Sequence, residues 1–396
     1  MYTEACQKDG VCPVSSSMYR DIFCKEFNLS FHKPKKDQCL LCTRYHDATR
    51  SSSLTASLEK EYQEHQERKR EGREEKANDK KMSQENDGMH CAAFDLESVL
   101  PTPCSLVSQT HYKRKLAVYN LSVYSLGDKD AVCYTWDETQ GKKGSCEIAS
   151  CLLRYLKSLP NNINHVVLFS DTCTGQNRNQ FVASALLHAA QTLPNISTID
   201  QKFLESGHTH MEVDSMHACI ERAKKNVTIH IPDQWNTVIQ MARPAKPYDV
   251  FPMCHTDIWD FKKVAAQSMR NTKTDVAGCR VKWLKIKWLR YIKGEKDTIF
   301  FKYRMPDSAF NQLKIRGSSR RGRQQSTAVQ DSSLPMRYCS RLPISEAKKM
   351  DLLDLCNLGV IPAQHHHFYK NLPTNISVQD RLSEPDVTED VDTDDE

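Results

Sequence analysis

Asp95, Asp171 and Asp214 are the residues whose type and placement could do chemistry together. Asp95 closes the run Met89-His-Cys-Ala-Ala-Phe-Asp-Leu, and Asp171 follows His165-Val-Val-Leu-Phe-Ser170 directly. Asp214 opens a helical pattern after Gly207-His-Thr-His-Met-Glu-Val. Carboxylates converging on Mg²⁺ or Mn²⁺ are what metal-assisted phosphoryl transfer requires, with one acid anchored on a central strand. If Asp95 and Asp171 end neighbouring strands, their side chains stand together, and a following helix supplies the third ligand. Asp214 is the first choice for that ligand, with Glu212 and Glu221 as alternates. Any single acid at a strand end is more often a cap or a surface group. Three at matched places are harder to dismiss.

Other residues around these acids suggest supporting roles. Gln176, Asn177 and Arg178 follow Gly175 at a helix start, where backbone amides and a guanidinium could position a phosphate. His208 lies in the loop before Asp214, where it could line the metal site or move a proton. Cys39-Leu-Leu-Cys42 has the spacing of half a structural Zn²⁺ site, to be completed by His46, Cys24, His32, Cys6 or Cys12. Cys173 adjoins a candidate ligand, but nothing nearby supports a nucleophilic cysteine. The run His365-His-His367 before Phe368-Tyr369 reads as the polar edge of a small docking helix.

The elements that must carry these groups follow from periodicity. Strands are expected at 89–96, 116–125 and 131–136, then a helix over 146–159 that stops at Pro160. The continuous apolar run 165–170 reads as a buried central strand. A helix over 179–192, a strand over 197–204 and a helix over 211–225 complete the series. Three strands, helix, strand, helix, strand, helix is the order of a ribonuclease H-like α/β core with a mixed sheet.

Five parts follow. Residues 1–52 hold a short amphipathic helix and the cysteine pair as an N-terminal cysteine-containing helical segment. Residues 53–88 are a charged helix whose alternating signs read as a solvated linker. Residues 89–246 form the core. Residues 247–374 form a basic α+β extension with a hairpin around Gly294 that carries Trp283, Trp288 and Tyr291, aromatics that read as core more readily than as base-stacking groups. Residues 375–396 read as a disordered acidic tail. The net charge of +5 conceals a more basic body once that tail is set aside, which suits a polyanionic partner. No apolar run is long enough for a membrane span, and no signal region opens the chain, so the sixteen cysteines are expected as reduced thiols.

The segments Ser170-Asp-Thr-Cys-Thr-Gly-Gln-Asn-Arg-Asn179 and Gly207-His-Thr-His-Met-Glu-Val-Asp-Ser-Met-His217 resemble a poorly characterised, transposon-derived family common in insects and other animals. The likeness extends from about Tyr19 to Tyr369, and includes Lys35 to Cys42. That resemblance implies a DDE/D transposase-like domain using Mg²⁺ or Mn²⁺ to cut or join DNA, in the nucleus or otherwise the cytoplasm. A catalytically inactive, domesticated nuclear nucleic-acid-binding protein is the alternative, and an exonuclease using the same acids is a third. A second copy of the chain is a further expected partner. Because the likeness begins near Met1, an upstream DNA-binding segment is expected to be missing.

Overall fold

The computed structural model describes residues 39–316 and 334–380, together with Cys6, 8–15, Met18 and Ile22. The chain divides into two compact units, Met1–Ser53 and Leu54–Glu396. Within the first unit, α1 (Leu40–Arg50) starts directly after Cys39. The amphipathic helix expected over 18–27 lies outside the described residues, apart from Met18 and Ile22.

The second unit is a mixed α/β structure built on one ten-stranded sheet. In chain order it contains α2 (Ala56–Glu85), β1 (Met89–Leu96), β2 (Leu100–Thr102), β3 (Leu116–Ser125), β4 (Ala131–Asp137) and α3 (Ser145–Ser158). These are followed by β5 (His165–Ser170), α4 (Gln180–Thr192), β6 (Thr198–Phe203), α5 (Glu212–Ala223), α6 (Asp233–Met241), β7 (Asp249–Pro252) and α7 (Phe261–Ser268). Then come β8 (Trp288–Ile292), β9 (Thr298–Lys302), β10 (Asn311–Lys314) and α8 (Glu346–Asn357), with a short helix after it. Across the sheet the order is β10-β9-β8-β6-β5-β1-β3-β4-β7, with β2 beside β3. Strands β1, β5 and β6 run parallel, whereas β3 is antiparallel to both β1 and β4.

Alternation along β1 decides which helices cover which face. Ala92, Phe94 and Leu96 join a core with residues of α3, α4 and α7. Cys91 and Ala93 face the other way, into a core with Val213, Met216 and Ile220 of α5 and with Trp235 and Ile239 of α6. The three α5 residues recur at helical spacing, and each buried side chain of this kind stabilises docking by about 1.5–3 kcal/mol. Asp95 shares the parity of Cys91 and Ala93, so its strand presents it to the α5 face.

The charged helix departs from the linker reading. His65, Gly72 and Asp79 of α2 are buried: His65 and Asp79 find polar partners on β6 and just after it, and Gly72 lies close to Leu204. Lys202 of β6 lies 2.5 Å from Glu75 and 2.6 Å from Asp79, and is itself buried. Burial pushes the Asp79 carboxyl up to about 6, against the opposing pull of Lys202. Glu205 binds His65 at 3.1 Å, Arg68 at 3.2 Å and Lys287 at 2.6 Å. Docking through ion pairs leaves no apolar stripe to read in the sequence.

The C-terminal extension is likewise no separate layer. β8 pairs with β6, Trp288 opposite Lys202, so the expected hairpin continues the main sheet. Trp288 and Tyr291 are buried and Trp283 is half-buried. The short helix His366–Lys370 docks through buried Tyr369, as expected. Order also runs past residue 375: Asp380 accepts from Ser345 Oγ at 2.6 Å and pairs with Arg114 at 3.0 Å. The loop after Arg316 and the tail after Asp380 lie outside the described residues.

Asn179 caps α4, accepting from the amides of Phe181 (3.0 Å) and Val182 (3.1 Å). Asn179→Ala is expected to lower stability by about 1–2 kcal/mol, read from the urea midpoint.

Candidate metal centre

The register of β1 and β5 ends with Ala93 opposite Phe169. Asp95 stands two residues further along β1, on the α5 face, and Asp171 directly follows the end of β5. Across β3, Asp95 is paired with Ser122. From above, α5 brings Asp214 and His217, three residues apart on one helical face. One ligand atom from each of Asp95, Asp214 and His217 lies within 4.8 Å of the other two. Asp95 and His217 are half-buried and Asp214 is exposed, so the group opens to solvent on one side.

His217 is the residue that sequence reasoning missed. Its Nε2 is buried with no hydrogen-bond partner among the described residues. Burial lowers its pKa to about 4, so the ring is neutral at pH 7 and keeps a lone pair for a metal. The available signal was Asp214-x-x-His217, a spacing that sets both side chains on one side of a helix. Asp214 also caps its own helix, its Oδ2 accepting from the Met211 amide at 2.8 Å.

Asp171 stands outside the 4.8 Å group. Its Oδ1 accepts from the Cys173 amide at 3.1 Å and from Asn177 Nδ2. Burial raises the Cys173 thiol to about 11, with further upward contributions from Asp171 and Asp95, so both carboxylates reach this thiol electrostatically. The expected phosphate-binding turn is arranged differently. The amides of Gln176, Asn177 and Arg178 all donate to the Cys173 carbonyl, and the Asn177 and Arg178 side chains are buried. Arg178 lies over the Phe203 ring at 5.9 Å. These groups shape the turn that holds Asp171, with Asn177 and Arg178 turned inward and Gln176 half-buried.

The alternates are directed elsewhere. Glu212 pairs with Lys76 at 2.5 Å and Lys80 at 3.8 Å, whereas Glu221 pairs with Lys224. His208 packs its ring against His65 on α2, centroids 5.0 Å apart. Burial and the neighbouring Lys69 and His65 lower its pKa to about 4.

A second group went unread. Glu97 is 1% exposed, follows Asp95 by two residues, and accepts from Asn120 Nδ2 at 2.8 Å. Burial pushes its carboxyl up to about 8. Glu97 Oε1 and Asn120 Oδ1 are both buried with no hydrogen-bond partner among the described residues. The Asp95-x-Glu97 alternation was the signal that could have marked it.

The buried histidines carry a pH signature. His217, and His90 beside Tyr155 at 2.6 Å, are both lowered by burial. Each stays neutral in the fold but takes up a proton on unfolding below the usual 6.5. Below 6.5 each therefore costs the fold stability, a cost that for His217 grows as pH falls towards 4. In EDTA the urea midpoint is expected to drop between pH 6.5 and 5. His217→Gln should flatten that slope by at most about 1.4 kcal/mol per pH unit.

In the first unit, Cys39 precedes α1 and Cys42 lies in its first turn, both half-buried. His46 follows Cys42 by one turn, edge-on to Tyr45. Of the other expected completions, Cys24 and His32 lie outside the described residues, Cys6 is half-buried and Cys12 exposed. No disulfide joins the described cysteines. Among the described residues no helix is long and apolar enough to cross a membrane.

No curated protein and no solved structure matches the chain. Residues 109–287 match the family model of a domain of unknown function (DUF7869), a span that holds Asp171, Asp214 and His217 and begins after Asp95.

Proposed function

We propose that the second unit is a metal-dependent enzyme of polynucleotidyl hydrolysis or transfer, acting on DNA from a ribonuclease H-like core of transposon origin. The observation that carries this reading is the Asp95–Asp214–His217 group together with the buried, unpartnered His217 Nε2. Two carboxylates and a neutral imidazole are a donor set that fits a divalent ion, and the nitrogen favours Mn²⁺ over Mg²⁺. The central strand order β4-β3-β1-β5-β6, antiparallel on one side of β1 and parallel on the other, agrees with the ribonuclease H arrangement.

When bound, the ion would supply Lewis-acid polarisation of a phosphate oxygen. Asp95, Asp214 and His217 would hold it, and Asp171, fixed by Asn177 and the Cys173 amide, would border the same edge. In the hydrolytic reaction a water oxygen bonds to phosphorus, the P–O3′ bond breaks, and the departing 3′ oxygen takes up a proton.

The test is cleavage of labelled single-stranded, duplex and nicked DNA with Mn²⁺. Metal-dependent cleavage that falls at least about 100-fold in Asp95→Asn is the expected result. Wild-type protein that binds Mn²⁺ but cleaves none of these substrates would sink the catalytic reading. The second reading, a non-catalytic DNA-binding descendant, draws on one observation: Asp171 Oδ1 is already engaged by its own turn.

A further inference from the structure

The segment between α7 and β8 builds a basic, concave surface that the metal centre does not use. Thr272, Lys273, Thr274, Gly278, Arg280 and Trp283 line a groove of about 500 Å³. Lys273, Arg280, Lys282 and Lys285 are all exposed, and none makes an ion pair among the described residues. Some cations elsewhere are matched, as with Lys76 to Glu212, Lys113 to Asp351 and Lys348 to Glu138; here four exposed ones share a single short segment. The one acid within the segment, Asp275, is turned to its own loop, accepting from the Cys279 amide at 2.8 Å. Unmatched cations on a concave wall raise the local concentration of a polyanion.

Trp283 gives that surface a second chemistry. Its Nε1 donates to the Thr272 carbonyl at 2.7 Å, which fixes the indole, and the ring is half-buried. A fixed, partly exposed indole beside unmatched cations is the pairing that holds unstacked bases and their phosphates. A duplex keeps its bases stacked and offers no face to this ring.

The groove's strand leaves from the same end of the sheet as the acids. The Phe203 amide donates to the Lys287 carbonyl, and Phe203 is level with Ser170, the residue before Asp171. β8 is three strands from β1, which carries Asp95, about 14 Å at ordinary strand spacing. We propose that Lys273, Arg280, Lys282 and Trp283 form a docking surface for single-stranded DNA. Val281, Trp283 and Ile286 pack on the α7 side of the sheet, opposite Asp95, so this surface would hold the strand at the sheet end the two share, and the inference rests on the DNA reading above.

The test is anisotropy of a labelled oligo(dT) with the full chain in EDTA, which silences the metal centre. Wild type is expected to bind oligo(dT) more tightly than duplex, with affinity falling as salt rises. Lys273→Gln/Arg280→Gln/Lys282→Gln should reduce the log–log salt slope by about 2, since each single-strand phosphate contact contributes about 0.7. Trp283→Leu should weaken binding about 5- to 100-fold, and Trp283→Phe, which keeps a ring, should restore much of it. An unchanged salt slope in the triple variant overturns the surface, as does duplex binding equal to single-strand binding. No oligo(dT) binding alongside intact Mn²⁺-dependent cleavage overturns this surface alone. Loss of both sinks the nucleic-acid reading with it.

Discussion

His217→Ala is expected to weaken Mn²⁺ binding about 100-fold while changing Mg²⁺ binding far less. Mg²⁺ takes oxygen ligands and gains little from an imidazole, whereas first-row transition ions gain more from nitrogen. The substitution also removes a buried nitrogen that has no hydrogen-bond partner among the described residues. An unsatisfied buried group costs stability, so its loss should leave the metal-free melting temperature unchanged or slightly higher. A merely structural histidine would behave in the opposite way, losing stability and leaving metal affinity alone. Calorimetric titrations with both ions, beside melts in EDTA, separate these cases. Mn²⁺ affinity unchanged in His217→Ala would remove the imidazole from the ligand set and leave two carboxylates, too few to argue a site.

The backbone of the centre was readable because it depends on apolar periodicity. The run 165–170 and the alternation around Asp95 fix both strands, and the observed boundaries differ from the expected ones by a residue or so. Asp214 was readable for the same reason, as an acid in the first turn of α5. What escaped were contacts made by polar groups facing inward. His217 and Glu97 are titratable residues on faces that pattern alone assigns to neither core nor solvent. The α2 helix misled in the same way, since Glu75 and Asp79 look solvated until Lys202 is seen beneath them. Arg178 misled in reverse: a basic residue after a glycine suggests a phosphate, yet here it packs on Phe203. Charge marks the surface only where the fold supplies no opposite charge inside.

Asp200→Ala is expected to cost about 3–5 kcal/mol, a large stability loss for one side chain. Asp200 of β6 is fully buried and collects four bonds: His165 Nε2 at 2.8 Å, Trp288 Nε1 at 2.7 Å, and Arg290 through Nε at 2.7 Å and Nη2 at 2.9 Å. Burial alone would raise its carboxyl, but the bonds from His165 and Arg290 overcome that and hold it near 2. Its stabilisation is therefore present above the ordinary 3.8 and is lost as pH falls from there towards 2. Alanine would strand three donors, and the guanidinium keeps only its stacking on Phe310 and Trp288. Because two of those donors belong to β8, the damage should fall on the β6–β8 seam. Asp95 lies on β1, two strands from β6, so Mn²⁺ affinity measured well below the melting temperature should stay near wild type. Oligo(dT) binding should weaken, because β8 anchors the segment that carries Trp283. Urea midpoints combined with these two titrations test that separation. Equal loss of Mn²⁺ and DNA binding in folded Asp200→Ala would mean that the sheet couples the two surfaces more tightly than its hydrogen bonding implies.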